Sequence, residues 1–222
     1  MWDPVLDRLA AERDVWALDL PGHGGSPPLA AAAPADLAAA VRTHLAAQGV
    51  ERPHVAGNSL GGWVALELGL SGAAASVTAI APAGLWREPL VPKRSPVRRV
   101  ARALLPAIGP ALRTRAGRRA ALAANAAHPE RIPPAAALRL VRAYATAPGF
   151  RAINDAMRAG RFTGLDRIAV PVTLAWPEHD RLVARPRHLP ASVRSVVLRG
   201  CGHLPTWDDP AQVARLLLEG SP

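Results

Sequence analysis

Ser59 is the residue of this chain that is best placed to act as a nucleophile. It lies in the pentapeptide G-N-S-L-G at residues 57–61, between an apolar run and the helix-forming stretch 63–68. A G-x-S-x-G spacing is typical of a tight strand-to-helix turn that exposes the serine hydroxyl. Backbone segments come close in such a turn, so we expect side chains at positions 57 and 61 to clash. The pentapeptide alone is equally compatible with an ordinary Gly-Ser-rich turn.

Two further residues could complete a catalytic set with Ser59. Asp180 follows the apolar stretch 170–176, and His203 follows the β-branched stretch 193–198; both stretches are typical of strands. Functional groups gather at the carboxyl ends of strands in open α/β sheets, so the three should lie together. We predict that Ser59 is the nucleophile, His203 the general base, and Asp180 the acid that orients His203.

Alternatives exist for the acid and the base. Glu178 is two residues from Asp180 and could serve, although a solvated role is the simpler interpretation. The other histidines weighed for the base do not follow a strand; they are His23, His179 and His188. Asp19 is expected to anchor a buried turn rather than to react. The sequence does not decide whether Asn58 and Trp63 line a pocket or simply pack.

The order Ser, Asp, His and the motifs around these residues resemble the α/β-hydrolase superfamily. The segment D-L-P-G-H-G-G-S at 19–26 resembles the family's D-x-P-G-x-G-x-S motif after its fourth strand, which would be 15–18 here. The elbow at 57–62, the acid loop at 176–180 and the histidine loop at 202–210 also resemble the family. The resemblance covers roughly residues 1–85 and 165–222. It implies a mostly parallel sheet flanked by helices, and the backbone N–H of Leu60 as an oxyanion donor.

The start of the chain departs from this family. Members have three strands before the D-x-P-G-x-G-x-S motif, and a His-Gly loop that supplies a second oxyanion donor. Here 18 residues precede Asp19, enough for a helix near 4–11 and one strand from Val15. Unpaired central strand edges are costly, so an N-terminally incomplete fold should be poorly soluble or nearly inactive alone. We expect either that Met1 is an internal methionine or that the chain is a natural short form.

Residues 84–165 occupy the place where the family inserts a helical cap, which leaves 1–83 and 166–222 as the hydrolase core. Proline spacing predicts cap helices at 96–105, 111–126 and 135–147, with another turn at 154–159. Five large apolar side chains of this insertion could face the nucleophile or pack between cap and core: Trp86, Tyr144, Phe150, Met157 and Phe162.

Composition limits the compartments, cofactors and kinds of partner that we expect for this chain. A 222-residue chain that is 50% hydrophobic suits one domain, and a single cysteine suits a reducing, cytoplasmic compartment. We predict no transmembrane segment, no metal and no cofactor.

The net charge of +10 comes mostly from residues 84–131, which hold two acidic and eleven basic residues: Arg87, Lys93, Arg94, Arg98, Arg99, Arg102, Arg113, Arg115, Arg118, Arg119 and Arg131. Without interleaved aromatics we expect no nucleic-acid partner, and instead a solvated surface that could meet an anionic substrate or membrane.

The function that these observations favour is hydrolysis of a small carboxylic ester through an acyl-enzyme. Hydrolysis of carbon–carbon bonds in dienoic ketoacids is the nearest alternative, because the G-N-S-L-G-G elbow also suits that branch. A serine at 59 argues against epoxide hydrolase or haloalkane dehalogenase chemistry, which needs a carboxylate nucleophile. A non-catalytic binding protein is the alternative from another class, favoured by the missing oxyanion segment and disfavoured by the intact Ser, Asp and His.

Overall fold

The computed structural model describes residues 1–91 and 96–221, so the predicted basic residues Lys93 and Arg94 lie outside the described part. The helices and strands, in chain order, are α1 (Asp3–Ala10), α2 (Pro34–Ala47), β1 (His54–Asn58), α3 (Leu60–Leu70), β2 (Ser76–Ile80), α4 (Val97–Arg113), α5 (Arg115–Leu122), α6 (Pro134–Thr146), α7 (Phe150–Ala159), β3 (Val172–Pro177), β4 (Val193–Leu198), α8 (Pro205–Asp208) and α9 (Pro210–Glu219). Single 3₁₀ turns lie at Pro129–Arg131 and Leu165–Arg167.

Within the described residues the four strands form one parallel sheet in the order β1-β2-β3-β4. All residues of β2 and β3 are buried, as the apolar composition of both strands predicts for a parallel sheet covered on both faces. Since all four strands run the same way, their carboxyl ends meet at one edge. The turns that follow β1, β3 and β4 therefore open on the same side of the molecule.

Helices cover both faces of the sheet. The side chains of α2 and α3 pack with Val77, Leu174 and Trp176 on one face. On the other face, α1 and α9 pack with Ile80, Ala175 and Leu198. These two clusters fix the strands, and with them the turns at the carboxyl edge. The fold is thus the predicted layered α/β arrangement.

The predicted strand at 15–18 is wrong, because this segment has no regular structure. A strand persists only where a neighbour satisfies its backbone groups. Among the described residues no strand pairs with the outer side of β1, so nothing holds 15–18 in a ladder. His54 and Ala56 of β1 are accordingly exposed.

Helices α4 to α7 fill the segment between β2 and β3, and their bounds correct two predictions. Helix α4 continues through Pro106 and Pro110 as far as Arg113, although the sequence predicts a break between residues 105 and 111. The break comes at Thr114, whose extended backbone ends α4 and whose hydroxyl accepts a 2.9 Å hydrogen bond from the Gly117 N–H at the start of α5. Helix α7 begins four residues before the predicted turn at 154. No described helix is both long enough and apolar enough to span a bilayer.

Candidate active site

Ser59 has a backbone conformation that side-chain-bearing residues seldom adopt. Its φ is 56° and its ψ is −117°, between the end of β1 and the first residue of α3. Its N–H donates to Ile80 O at 2.9 Å, and its carbonyl accepts from Ala83 N–H at 3.0 Å. The loop after β2 therefore fixes the strained turn. Strain of this kind is kept at sites where geometry matters for function.

The two flanking glycines of the elbow differ in how much space a side chain would have. A Cβ on Gly57 would overlap the backbone carbonyl of Gly61, so no larger residue fits at 57. A Cβ on Gly61 would meet nothing within 4 Å, so the expected clash at 61 is wrong. The close approach is made instead by Gly62, where a Cβ would lie 3.0 Å from Pro82.

Substitution of Gly57 by alanine should therefore lower the stability of the fold far more than the same substitution at Gly61. A Cβ at 57 forces the strand and helix apart, at a cost of a few kcal/mol, on the order of overpacking in a core. Alanine at 61 lies in the first turn of α3 and should be neutral or stabilising by up to about 1 kcal/mol. Thermal unfolding of the two variants beside the wild type measures the difference. Equal melting temperatures for the two variants would contradict this account of the turn.

His203 and Asp180 form a buried ion-pair-like contact at the carboxyl edge of the sheet. Asp180 Oδ2 lies 2.8 Å from His203 Nδ1, and His203 is 6% exposed. Asp180 Oδ1 accepts backbone N–H groups of Leu182 at 2.7 Å and Val183 at 3.1 Å. The pKa of Asp180 reflects opposing causes: burial raises it, but the hydrogen bond and charge of His203 and the two N–H donors outweigh burial and lower it. The ionised Asp180 therefore adds to the free energy of unfolding at any pH above the pKa of an unfolded aspartate. This contribution is lost as the pH falls through the lower pKa that Asp180 has in the folded protein.

The side chain of Glu178 makes a different contact from that of Asp180. Its Oε2 accepts the N–H of Gly200 at 2.8 Å, at the turn that follows β4. A backbone hydrogen bond makes a second connection between the same two loops: His179 N–H donates to Cys201 O at 2.8 Å. The loops after β3 and β4 are thus joined twice beside the Asp180–His203 contact. The other histidines weighed for the base have other surroundings: His23 Nδ1 lies 3.3 Å from Pro21 O, and His179 and His188 are exposed.

The buried side chain of Asn58 links the serine turn to the histidine loop. Its amide donates to Ile80 O and to His203 O, both at 3.2 Å. The amide thus has a structural role, which the sequence left open. Among the described residues Ser59 Oγ makes no hydrogen bond to His203. Contacts between a nucleophile and its base are often long before substrate binds, so the roles of Ser59 and His203 stay a prediction.

Asp208 also supports the histidine loop, and sequence reasoning missed it. Its carboxylate accepts three backbone N–H groups, those of Gly202 at 2.8 Å, Ala127 at 2.9 Å and His128 at 2.8 Å. A Cβ on Gly202 would lie 2.6 Å from Ala127 N, so the two segments are in close contact. Asp208 therefore ties the loop that carries His203 to the segment after α5. The available signal was an acidic residue just before the helix-starting Asp-Pro pair.

Asp19 anchors a turn, as predicted, but the prediction that it is buried is wrong. The residue is exposed, with Oδ2 accepting Gly25 N–H at 3.0 Å and its own carbonyl accepting the Ser26 hydroxyl at 2.8 Å. The same turn touches the segment between α6 and α7, because Gly149 N–H donates to Gly22 O at 3.0 Å. The short backbone contact leaves no room for a side chain at either glycine.

Leu60 opens α3, and its N–H makes no hydrogen bond among the described residues. A helix N-terminus with a free N–H beside a half-buried serine suits an anionic oxygen.

Cys201 is not a competing nucleophile. It is buried, and burial followed by the nearby carboxylates of Asp208 and Asp209 raises the pKa of its thiol to about 12. The thiol is therefore protonated at neutral pH. Within the described residues no group of three His, Cys, Asp or Glu side chains is placed to hold a metal ion.

The aromatic residues of the insertion divide into two groups. The ring of Trp86 lies edge-on to that of Trp63, with 5.8 Å between centroids, and its indole N–H donates to Gly160 O. Trp86 therefore connects the segment between β2 and β3 to α3, which begins just after Ser59. Phe162 is buried and Met157 partly buried in that same cluster. Tyr144 and Phe150 pair with each other, and the guanidinium of Arg98 lies over the Phe150 ring.

Comparisons with known proteins agree on one group of enzymes. Residues 1–216 match the model of a family described as "Alpha/beta hydrolase family". The chain is 34% identical over 195 residues to epoxide hydrolase EphH of Mycobacterium tuberculosis, covering 82% of this chain and 91% of the relative.

Two solved structures show the shared fold. A thermophilic esterase from Thermogutta terrifontis superposes with a TM-score of 0.72 at 19% identity, over 98% of this chain and 83% of that one. The 2-hydroxy-6-oxo-6-phenylhexa-2,4-dienoate hydrolase of Rhodococcus sp. strain RHA1 superposes with a TM-score of 0.68 at 22% identity, over 99% and 83%. At these identities the likeness is one of fold alone.

Proposed function

The chain belongs to the alpha/beta hydrolase family, and we propose that it is a serine hydrolase that cleaves small carboxylic esters through an acyl-enzyme. The observation that supports this most is the contact of 2.8 Å between His203 Nδ1 and Asp180 Oδ2, on the loop that Asn58 ties to the Ser59 turn. A buried carboxylate that holds one imidazole nitrogen leaves the other to accept a proton. This is the arrangement that activates a serine.

The first half of the reaction forms the acyl-enzyme. His203 Nε2 accepts the proton of Ser59 Oγ as that oxygen attacks the ester carbonyl carbon. Asp180 keeps the proton on Nδ1 and stabilises the imidazolium that forms. The negative oxygen of the tetrahedral intermediate accepts the N–H of Leu60, at the positive end of α3. The imidazolium then donates its proton to the leaving alkoxide, which departs as the alcohol.

The second half releases the acid. Water gives a proton to His203 Nε2 and attacks the acyl carbon, and collapse of the second tetrahedral intermediate returns the proton to Ser59 Oγ. No cofactor enters either half, because the bonds made and broken need only proton transfer and a nucleophile.

Serine at position 59 separates this proposal from the activity named for the relative at 34% identity. Epoxide opening needs attack on a saturated carbon. A carboxylate nucleophile would leave an ester that water can hydrolyse, whereas a serine oxygen would leave an ether, which a histidine-activated water does not cleave. Carbonyl substrates are therefore the class that Ser59 can turn over.

Carbon–carbon bond hydrolysis is the second candidate, favoured by the G-N-S-L-G-G sequence of the elbow. In that reaction the same three residues would act on the keto carbonyl of a dienoic ketoacid instead of the carbonyl of an ester. Parallel assays with short-chain p-nitrophenyl esters and with a dienoic ketoacid separate the two activities.

Residues 84–165 are proposed to be a cap over this site, with 1–83 and 166–222 as the catalytic core. Two contacts support the division. The indole of Trp86 lies against Trp63 just behind the elbow, and the α6–α7 junction at Gly149 touches the turn at Gly22. Side chains of this segment would then determine which acyl group fits.

Labelling by a fluorophosphonate probe tests whether Ser59 is activated. We expect covalent labelling of the wild-type chain and mass-spectrometric location of the adduct on Ser59, because phosphonylation needs a serine whose proton a base can take. Ser71→Ala is a matched control, since the Ser71 hydroxyl donates to Leu68 O at the end of α3, away from the elbow. Labelling of Ser59→Ala equal to that of the wild type would overturn the proposal.

A further inference from the structure

Helix α4 exposes an apolar strip to solvent. Its inner side, including Leu105, Ile108 and Leu112, packs into the cluster formed with α5 and α6. On its outer side Val100 is 52% exposed and Leu104 is 50% exposed. At 100° per residue these two side chains lie within about 40° of each other on the helix. The two side chains thus form one contiguous apolar patch on a helix whose other face is already buried.

Arginines are the only charged residues of α4 and α5, and they divide by what they contact. Arg98 and Arg118 are used within the fold: both donate to backbone carbonyl oxygens. Arg119 forms an ion pair with Glu130 at 3.2 Å. Four exposed guanidinium groups make no hydrogen bond or ion pair in the part of the chain that the structure describes: Arg99, Arg102, Arg113 and Arg115.

The charge of this region is of one sign. The sequence from 97 to 122, which spans α4 and α5, contains no aspartate or glutamate. At 100° per residue, Arg99, Arg102 and Arg113 lie about 100° to 180° around α4 from the strip. They therefore place positive charge on long, flexible side chains over the remaining surface of the helix. Such side chains can keep their charged ends in water or near anions while their methylene groups lie along an apolar surface.

We propose that the outer side of α4 binds the surface of an anionic phospholipid membrane. Val100 and Leu104 enter the boundary between headgroups and acyl chains, and the arginines of α4 and α5 contact lipid phosphates. A helix with an apolar strip and a cationic remainder lies in the plane of such a surface rather than crossing it. This proposal goes beyond ester hydrolysis and does not depend on it.

A lipid surface fits the strip better than a folded protein does. A specific protein interface needs about 800 Å² on each partner, with matching shape and polar groups. The strip offers two large aliphatic side chains on a helix of 17 residues, with arginine as its only charged residue type. A bilayer requires no shape match, and juxtamembrane basic residues each favour an anionic leaflet.

Co-sedimentation with vesicles measures this binding. Wild-type protein should sediment with phosphatidylcholine vesicles that contain phosphatidylglycerol, and much less with phosphatidylcholine alone. Added salt should weaken the binding, because the headgroup attraction is screened. The variant Arg99→Gln/Arg102→Gln should bind about fivefold more weakly for each arginine removed, and Val100→Ser/Leu104→Ser about tenfold more weakly.

The matched control is Leu29→Ser/Arg42→Gln, which removes one exposed leucine and one exposed arginine outside α4. It should bind like the wild type, and circular dichroism should show that all three variants stay folded. Equal binding by the α4 variants and the wild type would overturn the proposal, as would equal binding to neutral vesicles. Absence of vesicle binding together with self-association that the Val100→Ser/Leu104→Ser variant loses would assign the strip to a protein contact instead.

Discussion

Replacement of Ser59 by alanine should reduce ester turnover by on the order of 10⁶-fold, while the protein stays folded. The expected loss is large because the hydroxyl oxygen forms the covalent bond of the proposed acyl-enzyme, and no neighbour can take its place. Cys201 is buried with the pKa of its thiol raised to about 12, so it cannot act as a substitute nucleophile. Initial rates with a short-chain p-nitrophenyl ester, at enzyme concentrations high enough to see residual activity, measure the effect.

His203→Ala should cause a loss of similar size, and the double variant should be no worse than either single one. The two residues act as a unit: without the base the serine stays protonated, and without the serine the base has no proton to accept. Ser71→Ala serves as the control and should keep full turnover. Multiplying losses in the double variant, or wild-type turnover in Ser59→Ala, would show that Ser59 and His203 do not share one reaction.

Asp180→Asn should lower turnover by about 10⁴-fold without unfolding the chain. Asparagine can hold the same position, but its amide donates a hydrogen bond to Nδ1 of His203. The ring proton then moves to Nε2, and the nitrogen that faces Ser59 loses the lone pair it needs. The Michaelis constant should change little, because the carboxylate is proposed to contact the imidazole and not the substrate.

Glu178→Gln is the matched comparison, two residues away on the same loop. Its side-chain oxygen can still accept the Gly200 N–H, which lies 2.8 Å from the carboxylate in the wild type. Turnover should therefore remain within a few-fold of the wild type. If Glu178→Gln were the variant that lost activity and Asp180→Asn kept it, the acid would have to be reassigned to Glu178.

The proposed chemistry depends on three loops that other residues hold in register. Asn58 joins the serine turn to His203 O, and Asp208 joins the histidine loop to the segment after α5. Both side chains bond to backbone groups far away in the chain. The position of His203 is therefore determined from two sides, one in the proposed core and one in the proposed cap.

The sequence by itself determined the features that depend on neighbours along the chain. The turn at 57–62, the helix near the start and the strands at 172–177 and 193–198 could be predicted because apolar runs, glycines and prolines act locally. The order of Ser59, Asp180 and His203, each just after a strand, followed from the same patterns. Parallel strands then bring these ends to one edge, whatever the details of the packing.

Only the tertiary structure decided what depends on contacts between distant segments. Residues 15–18 have strand-like composition but no strand, because a strand also needs a hydrogen-bonded neighbour, and local sequence does not encode that. The need for glycine at 57 but not at 61 depends on where α3 passes over β1. The same holds for Asp180 against His203 and for Glu178 against Gly200, since only the path of a loop distinguishes two carboxylates spaced two residues apart. The exposed side of α4 is a final instance: periodicity shows that the helix has apolar residues, and packing against α5 and α6 decides which of them remain in water.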